Sequence, residues 1–237
     1  MSGHSKWSNI KRKKEVNDKQ KGKIFSKLSS LITLAVIEGG GVTNADNNVK
    51  LRLAIDKAKQ ENLPKDNIER AIEKGVGPNQ NMLKEVVYEA FGPHGIGLLI
   101  LTTTDSSNRT LSEVRNTLER NGGKLGNHGS VAYLFKKCGS AVFTKEKNSA
   151  ENILDFTEKI SAFDIEEDEV YYQVFFPYEH LGKLKDYLGN LIPESSELDY
   201  RSTSKSGLTD GQVIEKIAKL VEALEELDDV YKVWTNL

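Results

Sequence analysis

The spacing of the apolar residues changes near residue 78 and divides the chain into a helical part and a mixed part. From Ile24 to Val36 apolar residues recur every three or four positions, as in an amphipathic helix. The same spacing returns over about 47–62 and over 64–75. After the polar stretch GVGPNQN, the segments EVVYEAF and GIGLLILTTT have the composition of strands. A helical bundle followed by an α/β region is predicted.

Glycine and proline mark the ends of the three predicted helices. The GGG run at 39–41 stops the first helix, because glycine adopts the positive φ of a C-cap without steric cost. Pro64 lies in the first turn of the third helix, where its missing N–H is harmless. Gly75 is expected to end that helix. Three short helices with brief connections form a small bundle.

The remainder of the chain reads as two α/β blocks and a tail. Residues 83–137 follow a ββαβ order and 138–205 a βαβαβ order, while the tail adds one amphipathic helix and one strand. A lone helix and strand bury little, so we expect the tail to pack on the sheet of the first block rather than on 138–205. The predicted fold is α+β and multidomain: an N-terminal three-helix bundle (1–77) followed by two ferredoxin-like α/β sandwich domains (78–137 with 206–237, and 138–205), the third inserted in the second.

The bulk composition favours a soluble protein of the cytoplasm. Of 237 residues, 38% are hydrophobic and the net charge is −2, which argues against a coat of positive charge over the whole surface. The single cysteine, Cys138, cannot form an internal disulfide and fits a reducing compartment. The longest apolar runs, LITLAVI and IGLLIL, are too short to cross a bilayer, and no signal-peptide core precedes them. We expect no membrane association.

The first 27 residues are strongly basic, although the whole chain is slightly acidic. They hold nine lysines and arginines against two acids. Dense cations suit a phosphate backbone because they displace its counterions, and an interleaved indole can stack on a base. The alternative is a solubilising tail. With few apolar groups, the arm of residues 1 to about 17 is expected to have no fixed structure alone. Its candidate nucleic-acid-binding residues are Lys6, Trp7, Lys11, Arg12, Lys13 and Lys14.

Three lysines continue the basic character into the first predicted helix. Lys19, Lys23 and Lys27 recur every four residues and cluster on one side, roughly 120° from the apolar stripe. Taken alone they fit a solvated lysine face; beside the arm they are candidates for contact with nucleic acid.

Two further segments carry weaker candidates. SSNRT at 106–110 lies at a strand–helix junction, where Arg109 and helix N–H groups could receive an anion. Ser107 or Asn108 as a plain N-cap is the alternative. The glycine-rich connection RNGGKLGNHGSVAY at 120–133 carries Lys124, and loops of this kind can serve in recognition. A plain strand-entry turn explains it equally well.

No motif in the sequence points to catalysis. None of the four histidines has a carboxylate at a diagnostic spacing, and GPHGIG lacks the Gly-Lys-Ser/Thr of a phosphate loop. No Cys/His cluster has the spacing of zinc ligands. We therefore predict no enzyme activity, no catalytic residues, no metal site, no cofactor and no small-molecule substrate.

Several motifs together resemble the YebC-type proteins, bacterial regulators whose mitochondrial relative is the translational activator of cytochrome c oxidase. The resemblance runs from Ser2 to the final helix and is most specific in the first 77 residues. This chain has Arg12 where many relatives have histidine, and it lacks the usual proline after GGG. The motifs that carry the resemblance are GHSKWSNIK, KGKIFSKL, LRLAIDKAK, LPKDNIERAIEKG, SNRT, EVR and GSVAY.

The resemblance implies a helical bundle with two α/β domains, no enzymatic activity and a role in gene expression. The family label implies a DNA-binding transcriptional regulator. The alternative that it implies is a ribosome-associated translation factor that binds rRNA or tRNA and eases synthesis of difficult, proline-rich stretches. No recognition helix rich in exposed Arg, Asn and Gln is evident, and a flexible basic arm suits structured RNA. Both partners, DNA and the ribosome, stay open at this point.

Overall fold

The computed structural model describes residues 18–77, 83–204 and 206–237, with side chains from Lys21 onward. The described chain forms two compact units, one comprising the residues up to Leu134 together with Ser202–Leu237 and the other Phe135–Arg201. The elements, in chain order, are α1 Asp18–Glu38, α2 Val49–Gln60, α3 Lys65–Val76, β1 Lys84–Phe91, β2 Gly97–Thr104, α4 Ser107–Arg120, β3 Lys124–Leu125, β4 Phe135–Thr144, α5 Ala150–Lys159, β5 Asp164–Glu167, β6 Tyr171–Pro177, α6 Leu184–Leu188, β7 Ser195–Ser202, α7 Gly211–Glu225 and β8 Val230–Thr235.

Helices α1, α2 and α3 pack around one apolar core. Gly40 and Gly41 take positive φ values of 67° and 83° directly after α1, as a glycine C-cap requires. Asn48 caps α2 by accepting a hydrogen bond from Leu51 N (3.1 Å), and its Nδ2 donates to Ala35 O (2.9 Å). The cap thus also joins α2 to α1. Core residues include Leu28, Ile32, Val36, Leu51, Ala54, Ala58 and Ile68.

Gly75 lies inside α3 and does not end it, contrary to the sequence prediction. The helix continues to Val76, and Gly75 is buried. A Cβ atom added there would lie 2.6 Å from Val36 Cβ and 3.0 Å from Thr33 O. The glycine is therefore explained by the close approach of α3 to α1 rather than by a need for positive φ.

The first sheet has the strand order β3-β1-β2-β8, and its three strand pairs are antiparallel. Strand β8, at the end of the chain, pairs with β2 through registers such as Leu99↔Trp234. Helices α4 and α7 share a core with this sheet through Val114, Leu118 and Leu220. The expectation that the tail returns to the first block is confirmed by this pairing.

The second sheet has the order β5-β6-β4-β7 within a βαββαβ chain order, which is the ferredoxin-like arrangement. Its core holds Phe143, Phe156 and Phe176 in edge-to-face contacts, with ring centroids 5.2 and 6.4 Å apart. Strand β5 is absent from the βαβαβ prediction because DIEE at 164–167 is short and acidic. The α+β class, with a helical N-terminal region and two sheets, is confirmed. The domain boundaries at 78, 138 and 206 stay a prediction.

Candidate nucleic-acid interface

The basic arm lies outside the described residues. This holds for Lys6, Trp7, Lys11, Arg12, Lys13 and Lys14, and also for the side chain of Lys19. In the sequence, α1 directly follows the arm. The groups that the bundle places beside α1 therefore form the candidate surface.

Lys23 and Lys27 contact the C-terminal end of α7. Lys23 Nζ donates to Glu226 O at 3.1 Å and lies 3.9 Å from Asp228 Oδ1. Lys27 Nζ donates to Glu225 O. The last carbonyls of a helix carry partial negative charge and have no intrahelical donor, so cations stabilise them. These two lysines therefore join the bundle to the C-terminal helix, although half of the Lys23 side chain stays exposed.

The SSNRT segment begins α4, with Ser106 rather than Ser107 or Asn108 as the N-cap residue. The Ser106 side chain makes no capping hydrogen bond. The backbone N–H of Ser106 donates to Thr104 Oγ1 at 2.9 Å. The alternative that Ser107 or Asn108 is the N-cap residue is therefore wrong, because Ser106 occupies that position.

Arg109 is engaged by two carboxylates. Its Nη2 lies 2.9 Å from Asp105 Oδ1 and 2.8 Å from Asp229 Oδ2. The hydrogen bonds that Arg109 donates to Asp229, and then to Asp105, raise the pKa of its guanidinium. The same Asp229 oxygen accepts from Thr110 Oγ1 at 2.5 Å and Thr104 Oγ1 at 3.1 Å. These hydrogen bonds join α4 to the turn before β8, so Arg109 has a structural role.

The glycine-rich connection after β3 folds over Glu89, and we name residues 126–134 the Glu89 loop. The Glu89 carboxylate is buried and accepts backbone hydrogen bonds from Gly129 (2.6 Å), Val131 (2.7 Å) and Ala132 (2.8 Å). Burial alone would raise the pKa of Glu89, but these three N–H groups and His128 outweigh it and lower the pKa. The loop is held by an ionised carboxylate.

Lys124 lies at the start of this connection, on β3. Its ammonium is 5.7 Å from the centre of the Phe91 ring, and its side chain is exposed. Strand β3 pairs with β1 through Phe91↔Lys124, which keeps the lysine beside the Glu89 loop.

A polar groove between α1 and α3 went unnoticed in the sequence. Its volume is about 290 Å³, and of the described residues that line it none has a carboxylate. Arg70 and Lys74 are exposed and form no ion pair with another described residue. Hydroxyl, amide and cationic groups can bind phosphate oxygens. The lining residues are Ser26, Ser29, Ser30, Thr33, Asn67, Arg70, Ala71 and Lys74.

The crossing of α1 and α3 creates this groove. Thr33 Oγ1 donates to Ala71 O at 2.8 Å, which fixes the two helices side by side. On α3, Asn67, Arg70 and Lys74 recur every three or four residues and so share one edge. The three- and four-residue spacing of these residues is the sequence signal that could have identified them. Only the packing shows that this edge of α3 faces the hydroxyl groups of α1.

The outer face of α3 is acidic. Asp66, Glu69 and Glu73 are exposed there, and of these three only Glu69 pairs with a cation of the described residues, Lys65, at 3.4 Å. Carboxylates on that face would repel the phosphates lining a DNA groove. Helix α3 therefore presents cations along one edge rather than a recognition face.

The residues that the structure describes contain neither a cluster of metal-ligating side chains nor a helix that could span a membrane. Among residues 18–77, 83–204 and 206–237, no three His, Cys, Asp or Glu side chains are placed to hold a metal ion together. In the same ranges no helix has both the length and the apolarity needed to span a bilayer.

Two family models cover nearly the whole chain. Residues 5–78 match the TACO1/YebC protein N-terminal domain, and residues 83–237 match the TACO1/YebC second and third domain. The chain belongs to the TACO1/YebC family. The predicted resemblance is thereby confirmed, and the boundary between the two matches falls where the apolar spacing changes.

TACO1/YebC relatives match over at least 90% of their own length. A "probable transcriptional regulatory protein" of Brachyspira hyodysenteriae is 39% identical over 100% of this chain and 96% of its own. One from Borreliella burgdorferi is 42% identical over 100% and 97%. The crystal structure of a conserved hypothetical protein from Aquifex aeolicus is 37% identical, covers 92% of this chain and 90% of its own, and superposes with a TM-score of 0.84. The relatives' names support a regulatory role.

Proposed function

We propose that the protein is a non-enzymatic, nucleic-acid-binding regulator of gene expression that acts in the cytoplasm. The observation that carries the proposal is the α1–α3 groove, where Arg70 and Lys74 lie beside hydroxyl groups at the helix that directly follows the basic arm. The arm supplies further cations and Trp7. The regulator names of full-length relatives support the same class of function.

The groove and the arm would act together on a phosphate backbone. The arm ends at the start of α1, and Ser26 of the groove lies about two turns further along that helix. Cations on the arm and on the groove suit contacts that read charge and shape, since neither requires base edges. Lys23 and Lys27 are not part of this contact, because both donate to carbonyls at the C-terminal end of α7.

The family label favours duplex DNA as the partner, whereas the acidic outer face of α3 favours structured RNA. Asp66, Glu69 and Glu73 would oppose insertion of α3 into a major groove. Binding along the edge of a folded RNA, as on a ribosome, needs no such insertion. The ribosome-associated role is therefore the second candidate. Crosslinking in intact cells, followed by separate sequencing of the bound DNA and RNA, distinguishes the two.

The groove is tested by salt-dependent binding to a duplex DNA and to an RNA hairpin. Each phosphate contact contributes about 0.7–0.9 to the slope of log affinity against log salt. The Arg70→Ala/Lys74→Ala protein should lose about 1.4–1.8 from that slope. Lys159→Ala/Lys185→Ala, which removes two exposed lysines of the second unit, is the matched control and should leave the slope unchanged.

The arm is tested with the same two probes. Replacing Lys11, Lys13 and Lys14 with alanine should lower the slope by about 2–3. Trp7→Ala should keep the slope and cost about 1–3 kcal/mol, the worth of one stacked base. If the intact chain binds neither probe, or if the arm and groove variants bind both as wild type does, the proposed function is wrong.

A further inference from the structure

The Glu89 loop is more rigidly built than a connection between strands requires. Val131 is fully buried, and Gly126 N donates to Glu89 O at 2.8 Å. A Cβ atom on Gly126 would clash with Ser130 Oγ, and one on Gly97 would lie 2.8 Å from Leu134 Cδ1. Burying a carboxylate is costly unless it is fully hydrogen-bonded, and Glu89 meets that condition only through this loop.

The same loop presents two uncovered rings. Tyr133 is 73% exposed, more than any other large hydrophobic residue of the described ranges, and the side chain of His128 is fully exposed. The largely exposed ring of Tyr133 adds little to stability, whereas His128 Nδ1 lies 3.4 Å from Glu89 Oε1. A planar ring held in place by a fixed backbone is preorganised for a partner, because little entropy is lost when it binds.

The charge around the rings favours a nucleic acid over a protein partner of mixed charge. From Arg120 to Leu134, within the first unit, the sequence has two cations, Arg120 and Lys124, and no acidic residue. Lys124 lies on the strand that leads into the loop. An aromatic face beside cations matches the two parts of an unpaired nucleotide, its base and its phosphate.

We propose that the Glu89 loop is a second nucleic-acid contact, in which Tyr133 stacks on an unpaired base of RNA and Lys124 contacts the adjacent phosphate. Glu89 is a positioning residue that fixes the loop and does not touch the RNA. The proposal rests on the proposed function, since it names the class of nucleic acid and a second place of contact. Unpaired bases are typical of RNA loops and bulges, so duplex DNA would not engage this site.

The experiment uses the full chain with an RNA hairpin that carries a bulged 2-aminopurine, and with the same hairpin fully paired. Tyr133→Ala should weaken binding to the bulged hairpin by about five- to 150-fold, the loss expected for one stacked base. The slope of affinity against salt should stay unchanged, and quenching of the 2-aminopurine should disappear. Tyr133→Phe retains the ring and should bind within about twofold of wild type.

The controls separate stacking from folding and from the arm. Leu154→Ala removes another exposed apolar side chain and should change nothing, and Tyr133→Ala should melt like wild type because its ring is exposed. Glu89→Gln should speed amide exchange at Val131 and Ala132 and weaken binding to the bulged hairpin only. If Tyr133→Ala binds and quenches as wild type does, the loop proposal fails while the proposed function stands. If wild type binds none of the hairpins or duplex DNA, both fail.

Discussion

Lys23 Nζ donates a hydrogen bond to Glu226 O across 203 positions of sequence. Lys27, one turn further along α1, donates to Glu225 O. The first helix of the described residues thus supplies the cations for the end of the last helix. Two lysines that resembled part of an open basic face are components of the packing between the bundle and α7.

Removing these lysines should therefore change stability rather than nucleic-acid binding. Lys23→Ala and Lys27→Ala should each lower the free energy of unfolding by about 0.3–1 kcal/mol, the usual worth of a cation at a helix C-terminus. The salt slope of binding should stay within experimental error. Urea unfolding and titration with duplex DNA provide the two readouts. Lys65→Ala, at an exposed lysine of α3, is the control; a slope lowered by Lys23→Ala would contradict the structural role.

Gly75→Ala should destabilise the bundle although alanine has the higher helix propensity. The new methyl group would collide with Val36 Cβ and Thr33 O, and overpacking of this kind costs about 1–3 kcal/mol. Gly22→Ala is the matched control, because a Cβ there has no neighbour within 4 Å. That change should stabilise α1 by up to about 1 kcal/mol. Thermal melts of both variants check the sign, and two stabilised proteins would be inconsistent with the packing of α3 on α1.

The contribution of Glu89 should depend on pH. Its pKa in the folded protein lies below the ordinary 4.5, so its stabilisation is complete above that value. The stabilisation is then lost as the pH falls through the folded pKa. At pH 7, Glu89→Gln should cost about 1–3 kcal/mol, because a carboxamide nitrogen cannot accept from the loop N–H groups. Urea unfolding from pH 7 to pH 3 should show the difference between wild type and variant shrinking only below 4.5; a constant difference would exclude the ionised form.

Replacing Phe135–Arg201 with a short glycine–serine linker should leave the remaining unit folded. Thr203 N donates to Leu134 O at 2.8 Å, so the two ends of the excised segment lie side by side within the first unit. A short closure costs little entropy. Circular dichroism and a cooperative melt check the outcome. A molten remnant would contradict the prediction that the third domain is an insertion.

Much of the fold follows from local pattern. The three helices, the GGG stop and the β1–β2 hairpin were predictable because periodicity and glycine conformation act over a few residues. The tail was assigned to the first sheet because its apolar helix and strand had no other surface to bury. Strand β5 was missed because Asp164–Glu167 lacks strand composition and is ordered by pairing with β6, for example Asp164↔Phe175.

The candidate site was less predictable because its parts meet only in three dimensions. Arg109 looked like a cation available to an anion, and its partner Asp229 lies 120 positions away. In the sequence, Arg70 and Lys74 resemble ordinary solvated residues. Only the packing of α1 against α3 shows that hydroxyl groups lie beside them. No sequence feature indicated the role of Glu89, because a single glutamate in a strand does not predict a buried carboxylate.

The pairing of β8 with β2 also determines when the protein can finish folding during synthesis. Strand β2 is buried along its whole length, and its partner on one side is made about 125 residues later. At about 5–20 residues per second, the nascent chain must wait roughly 6–25 seconds for that partner. Throughout this interval an apolar strand edge is open to other chains. We expect truncation before Val230 to yield inclusion bodies rather than a shorter soluble product.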